Sequence, residues 1–438
     1  MLILNRRDFL KNATAFGALA ATGIARGASD EVGKPYPGWK PGEMDLHFVY
    51  TGCGENMFYR LPDGTAVLND TGDFFRPRDR DQIPLLPSPD RLGGEWMARY
   101  IHRVYPEKAI DYAIFSHWHW DHVGHATFTS YEGLRYRTTP DGRRINGFLC
   151  VAEEFNVKHY FDHEYPNHGK YKKQDSSMQL LEPWIEEQRK KGLVVEPFKV
   201  GALNQIALQR DPSRYKDEFS IRNICANGVL WDGKDGVRDY AAEHVSVTKD
   251  GRIPQNQLSL AFVIQYGKFR YYAGGDVGRR FKVKGGGDVN YEGLVGERVG
   301  PVTVCKMNHH GCADSMDEEF VKAVRAQAYV ACMWCPGQLA PKTLRTISKY
   351  ADPAIFPNLM PARRKAKEIN EAYMKNILVP DVAHVVVKVL PGGNAYRIYL
   401  LEAHDESMNV LSVVEKTVVA RESKRTIAGV NAPELWEQ

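Results

Sequence analysis

The chain has no apolar run long enough to cross a membrane. Its one mildly apolar stretch near the start, Ala13 to Ala25, is too short and too rich in small residues for a stable span. Net charge is also scarce: 58 Lys and Arg stand against 54 Asp and Glu, a formal +4. Residues 1–27 carry three of those charges (Arg6, Arg7, Lys11 and Arg26 against Asp8), which leaves the remainder near +1. That balance removes the bulk electrostatic case for nucleic acid, which shows itself as a strongly basic domain. Short basic clusters at Lys170 to Lys173, Arg189 to Lys191 and Arg363 to Lys367 read as solvated faces. Seven cysteines, an odd number, cannot form a complete set of disulfides. The single tight pair, Cys332-Met333-Trp334-Cys335, has no second pair to complete a zinc site. Cys332 reads as strand core, with a disulfide to Cys335 open in an oxidising compartment. No internal repeat or low-complexity block is present.

What is there is a large core and a dense group of metal-ligand side chains. A hydrophobic content of 43% over 438 residues buries a substantial interior. In the middle of the chain, His117-Trp118-His119-Trp120-Asp121-His122 packs four ligand-type side chains into one short stretch. Imidazole and carboxylate are the ligands that zinc and related borderline cations accept. Each would carry a desolvation cost if buried without a metal or partner, and the two tryptophans point to partly apolar surroundings. The preceding Tyr112-Ala113-Ile114-Phe115-Ser116 is apolar and β-prone, a strand ending where the ligands begin.

The H-x-H-x-D-H stretch, followed by Val123-Gly124-His125, resembles the signature of the metallo-β-lactamase superfamily. The resemblance implies an α/β fold, a four-layer αββα sandwich with an inserted helical or lid region. It also implies a site at one edge of the two sheets, where metal-bound hydroxide hydrolyses the substrate. Zinc, as one or two ions, is the implied cofactor, with manganese or iron as alternatives. His117, His119, Asp121 and His122 are the implied ligands. Two further stretches fit the pattern. Phe269 to Asp276 is an aromatic strand running into Gly274-Gly275-Asp276, and Asp276 looks like the family's bridging carboxylate. Val302 to Gly311 is a β-prone run ending in Asn308-His309-His310-Gly311, similar to the K-x-x-H-H-G signature of one branch of the superfamily. That branch includes the hydrolase domain of competence DNA-uptake proteins and phosphorylcholine esterases. Adjacent side chains on an extended chain point to opposite sides, so His310 is read as the ligand and His309 as a substrate-facing catalytic partner.

The branch likeness extends to an opening hairpin. Leu46 to Tyr50 and Phe58 to Gly72 read as strands, and Asp70-Thr71-Gly72 matches the family's turn below the metal site, with Asp70 structural rather than a ligand. At the usual third-histidine spacing the chain has Asn256, in Asn256-Gln257-Leu258-Ser259-Leu260. An amide oxygen is a weaker zinc ligand, and His244 is the alternative.

Asn5-Arg6-Arg7-Asp8-Phe9-Leu10-Lys11 before the mildly apolar stretch reads as a twin-arginine export signal. The expected organisation is a signal over 1–28, a linker over 29–44, a hydrolase domain over 45–405 with its insert near 126–245, and a C-terminal extension over 406–438. Within the insert, the stretch Asp175 to Glu187 reads as a capped helix stopping at Gly192, with a bend at Pro183, and Leu193 to Val200 as a strand. The expected location is periplasmic or secreted. The expected partners are the export machinery and a small-molecule or surface-polymer substrate.

Three function classes remain on the sequence. A phosphoester or phosphodiester hydrolase is favoured by the branch likeness and by Arg279 and Arg280, placed to meet a phosphate. A lactam, lactone or thioester hydrolase is the alternative, and a non-catalytic metal-binding sensor the third.

Overall fold

A computed structural model describes residues 29–127, 136–168, 176–243, 253–283, 287–350, 354–361, 376–379 and 381–419. The expected export signal, His244, two of the three basic clusters and residues 420–438 lie outside them.

Two large sheets carry the molecule. The first has nine strands, in spatial order Val410–Thr417, Ala395–Leu401, His384–Val389, Met44–Phe48, Asn56–Arg60, Ala66–Thr71, Ala109–Phe115, Asn156–Asp162 and Val194–Val195. The second has eight: Ala354–Pro357, Ala328–Ala331, Val304–Lys306, Phe269–Ala273, Ala261–Tyr266, Phe219–Ala226, Val229–Trp231 and Val237–Asp239. Alternation splits central strands of the first sheet between two cores. Met57 and Tyr59 face the space between the sheets while Phe58 points away; Tyr112 and Ile114 divide in the same way from Ala113 and Phe115. The outward face of the first sheet is covered by the helices Gly93–Val104, Phe148–Glu154 and Ser176–Arg189, which supply Met97, Ile101, Phe148 and Leu181 to the second core. Tyr291–Val299, Glu318–Val324 and Pro341–Tyr350 cover the second sheet, where Phe320 packs on Tyr272 with ring centroids 5.4 Å apart. The layer order is therefore αββα.

The opening hairpin forms as the sequence predicts, and a second hairpin near the end pairs His384–Val389 with Ala395–Leu401. The strand expected over Leu193 to Val200 shrinks to Val194–Val195, because Pro197 has no N–H for a ladder bond. The segment near 126–245 is woven into both sheets, supplying Asn156–Asp162 to one and Phe219–Ala226 to the other. Past residue 405 the first sheet gains one more strand, Val410–Thr417. All seven cysteines are free, including Cys332 and Cys335. No helix among the described residues is long and apolar enough to cross a membrane.

Candidate metal centre

Three strands end at one edge of the sandwich, and the chain just beyond each supplies the site. Phe269–Ala273 and Val304–Lys306 are parallel neighbours, so the loops after them leave on the same side. Ala109–Phe115 reaches that side from the other sheet. Gly275, at φ +50°, lets the two sheets close: a Cβ there would lie 2.4 Å from the Cβ of Ser116. Gly72 does the same for the hexad, since its Cβ would overlap the Asp121 carbonyl.

The hexad's geometry follows from its backbone. His117 and His119 lie two apart on extended chain and face one side, while Trp118 between them is buried at 1% exposure. A single helical turn, Trp120–Val123, then swings Asp121 and His122 back toward the same point. Trp120 is left 39% exposed.

All seven side chains singled out in the sequence meet here. The Asp276 Oδ2 atom lies 3.3 Å from His122 Nε2, 3.5 Å from His310 Nε2, and 3.8 Å from both His117 Nε2 and His309 Nε2. Asp121 Oδ2 is 3.1 Å from His310 Nε2 and 3.7 Å from His122 Nε2. His117 Nε2 faces His119 Nδ1 at 2.9 Å. Ligand atoms of His117, His119 and Asp276 lie within 4.8 Å of one another, and so do those of Glu55, His122, Asp276 and His310. His309 and His310 share the site because the strand has ended at Lys306: both sit in the left-handed region, at φ 45° and 53°.

The far sides of three of these imidazoles are also held. His122 Nδ1 is 2.9 Å from Asp70 Oδ2, which accepts a bond from the Ser116 hydroxyl. Ser116 Oγ is in turn 3.0 Å from His117 Nδ1. His310 Nδ1 lies 2.9 Å from the Cys332 carbonyl and 3.2 Å from Glu55 Oε2. These contacts leave the Nε2 atoms of His117, His122 and His310 aimed at Asp276. Glu55 is the residue that sequence reasoning missed. It follows Gly-Cys-Gly in what reads as an ordinary turn, yet its N–H bonds the Asp121 carbonyl at 2.6 Å, and its carboxylate pairs with buried Lys306 at 2.9 Å. Lys306 also donates to the Gly275 carbonyl at 2.6 Å.

The electrostatics are those of a cation site. Burial opposes the protonation of His122 and His310, but the Asp276 and Asp121 carboxylates outweigh it and hold both pKa values well above the ordinary histidine value. Burial would lift Asp276, and His310 and His122 instead hold it well below the usual carboxylate range. His117 moves the other way, lowered by burial and by its neighbours His122 and His119.

A cavity of about 670 Å³ opens over His119 and His309, walled by Gln255, Asn256, Gln257, Arg279 and Arg280. Asn256 thus reaches the cavity wall, with its Oδ1 buried and unbonded. The two arginines are not idle: Arg279 pairs with Asp317 at 2.6 Å and Arg280 with Asp288 at 3.2 Å.

Neither the family models nor the curated proteins searched contain a match to this chain. Among solved structures it is similar to a mutant of the β-hydroxylase CmlA (11% identity, TM-score 0.33, 72% of this chain and 52% of that one). It is also similar to zinc-bound PqqB from Methylobacterium extorquens (9%, 0.30, 61% and 72%) and to the short form of human tRNase Z (10%, 0.29, 77% and 96%). The chain spans about half the length of CmlA.

Proposed function

We propose that this chain is a metal-dependent hydrolase of the metallo-β-lactamase type, acting on an ester and most readily a phosphoester or phosphodiester. The observation that carries the reading is the convergence of four imidazole Nε2 atoms within 3.8 Å of one buried carboxylate oxygen, Asp276 Oδ2. The residues fit a cation: His122 Nε2 and Asp276 Oδ1 are buried with no hydrogen-bond partner, and the donor set is all nitrogen and oxygen. His117, His119 and Asp276 would hold one ion, and Asp121, His122, Asp276 and His310 a second. A bound divalent cation lowers the pKa of a coordinated water and polarises the scissile bond. Asp121, 9% exposed, would orient that water or take its proton. His309, on the cavity wall and bonded to Asp314 at 2.8 Å, would stabilise developing negative charge or assist the leaving group. Zinc is the metal this donor set favours.

A second reading, a lactone or other neutral ester, draws support from the cavity wall. Both arginines are already paired to carboxylates, so the wall carries little free positive charge. Turnover of bis-p-nitrophenyl phosphate, nitrocefin and a lactone, run beside metal analysis of the purified protein, separates the readings. Full metal occupancy with no turnover of any ester would favour a binding protein instead. Export through the twin-arginine route into the periplasm or beyond belongs to the same proposal. Replacing Arg6 and Arg7 by lysine should retain the protein in the cytoplasm, and unchanged fractionation would refute it.

A further inference from the structure

The two histidines after Val304–Lys306 hold a backbone conformation that L-residues seldom adopt, twice in succession, and something must over-determine it. Glu292, in the first turn of Tyr291–Val299 and 0% exposed, touches none of the ligand atoms. Its carboxylate instead spans the loop that carries them. Oε1 accepts from the Asn308 side-chain amide at 2.8 Å and from the Met316 N–H at 2.7 Å, and Oε2 accepts from the Asp317 N–H at 2.8 Å. One end of the loop is thus tied immediately before His309 and the other immediately before Glu318–Val324. The ties are reinforced: Tyr272 donates to Asn308 Oδ1 at 3.1 Å, the Ser315 hydroxyl donates to the Asn308 carbonyl at 2.8 Å, and Met316 is itself left-handed at φ 54°.

We infer that Glu292 is a positioning residue for the metal centre, a buried carboxylate that closes the Asn308–Asp317 loop and so fixes His309 and His310 toward Asp276. All three of its partners are N–H donors, so the role needs two acceptor oxygens. Glutamine offers one, and its amide would confront a backbone N–H. The inference rests on reading His310 as a ligand.

The test is zinc affinity of the full chain by competition with a chromophoric chelator, for the wild type, Glu292→Gln, Glu292→Asp and Asp45→Asn. Asp45 is an equally buried carboxylate, bonded to Lys388 away from the site, and controls for general loss of stability. Glu292→Gln should weaken zinc by roughly 10-fold, the lower end of what losing a direct hydrogen-bond partner of a ligand costs, because Glu292 acts through the loop, with Glu292→Asp recovering part of the loss. Asp45→Asn should lower the melting temperature and leave zinc affinity unchanged. Wild-type affinity in Glu292→Gln, or an equal loss in Asp45→Asn, overturns the inference. Should Glu292→Gln fail to fold, Glu292→Asp decides, and wild-type affinity there overturns the inference. A wild type that binds no zinc instead fails the reading of the metal centre.

Discussion

Lys306 and Lys388 are both buried lysines on sheet strands, at 0% and 2% exposure, and their surroundings differ in one respect. Lys388 sits in a closed network. Its ammonium donates to the Gly38 carbonyl at 2.7 Å, to Glu43 at 2.6 Å and to both oxygens of Asp45 at 2.9 and 3.2 Å, and Tyr36 also donates to Asp45. Two carboxylates there face Lys388, with the Arg60 guanidinium close enough to act on Asp45. Around Lys306 the balance fails. Glu55, Asp70, Asp121 and Asp276 are all buried, and among the described residues Lys306 is the single lysine or arginine ion-paired with any of them. A buried charge by itself marks nothing, because Lys388 is as buried as Lys306. The excess of carboxylates over fixed cations, with imidazole nitrogens turned toward it, is what calls for a metal.

The sharpest way to break this contrast is to remove the shared carboxylate. Asp276→Ala should abolish turnover and strip zinc from the purified protein while circular dichroism stays that of the folded chain; retained zinc would contradict the assignment. Next come the two lysines themselves. Lys388→Met removes the cation bonded to Asp45 and Glu43 and should cost about 3–5 kcal/mol in denaturant unfolding, with or without zinc. Lys306→Met should cost less once zinc is supplied, because the cation takes over part of the neutralisation. Equal zinc dependence in the two variants would erase the distinction.

How much of this was legible in the sequence depended on spacing. The hexad crowds its ligand-type side chains into six residues, and Gly-Gly-Asp and His-His each end a β-prone run, so all seven side chains could be named. Glu55 escaped notice since it lies 62 residues before His117, and nothing in Gly-Cys-Gly-Glu signals that its carboxylate will meet Lys306. Glu292 was equally silent, because its meaning lies in three N–H groups that only the folded loop gathers. Arg279 and Arg280 read as phosphate contacts, but their pairing with Asp317 and Asp288 appears only once the chain is folded. Pro197 shows the same limit in the fold: periodicity marked a strand that the ladder could not extend.

A smaller effect lies beside the Lys388 network. His47 and His384 are buried, and burial lowers both pKa values from 6.5 to about 3. Between those values the unfolded chain binds more protons than the folded one, so stability is full above pH 6.5 and falls as pH drops toward 3. Each histidine should cost roughly 2 kcal/mol between pH 7 and pH 5. Chemical denaturation across that range checks it, and His384→Gln should flatten the slope. Smallest of all, Arg280→Ala breaks an exposed pair with Asp288 and should change stability by less than about 1 kcal/mol. Any fall in phosphodiester turnover against lactone turnover in that variant would sharpen the choice of substrate.

The central claim is that a divalent cation takes the place of the His122 and His310 protons in balancing the buried carboxylates around Lys306. Calorimetric titration of metal-stripped protein with zinc, repeated in buffers of different ionisation enthalpy, tests it most directly. His122 and His310 carry raised pKa values without metal, so zinc binding at neutral pH should release about two protons. Zinc that fails to bind, or binds without proton release, would contradict the account.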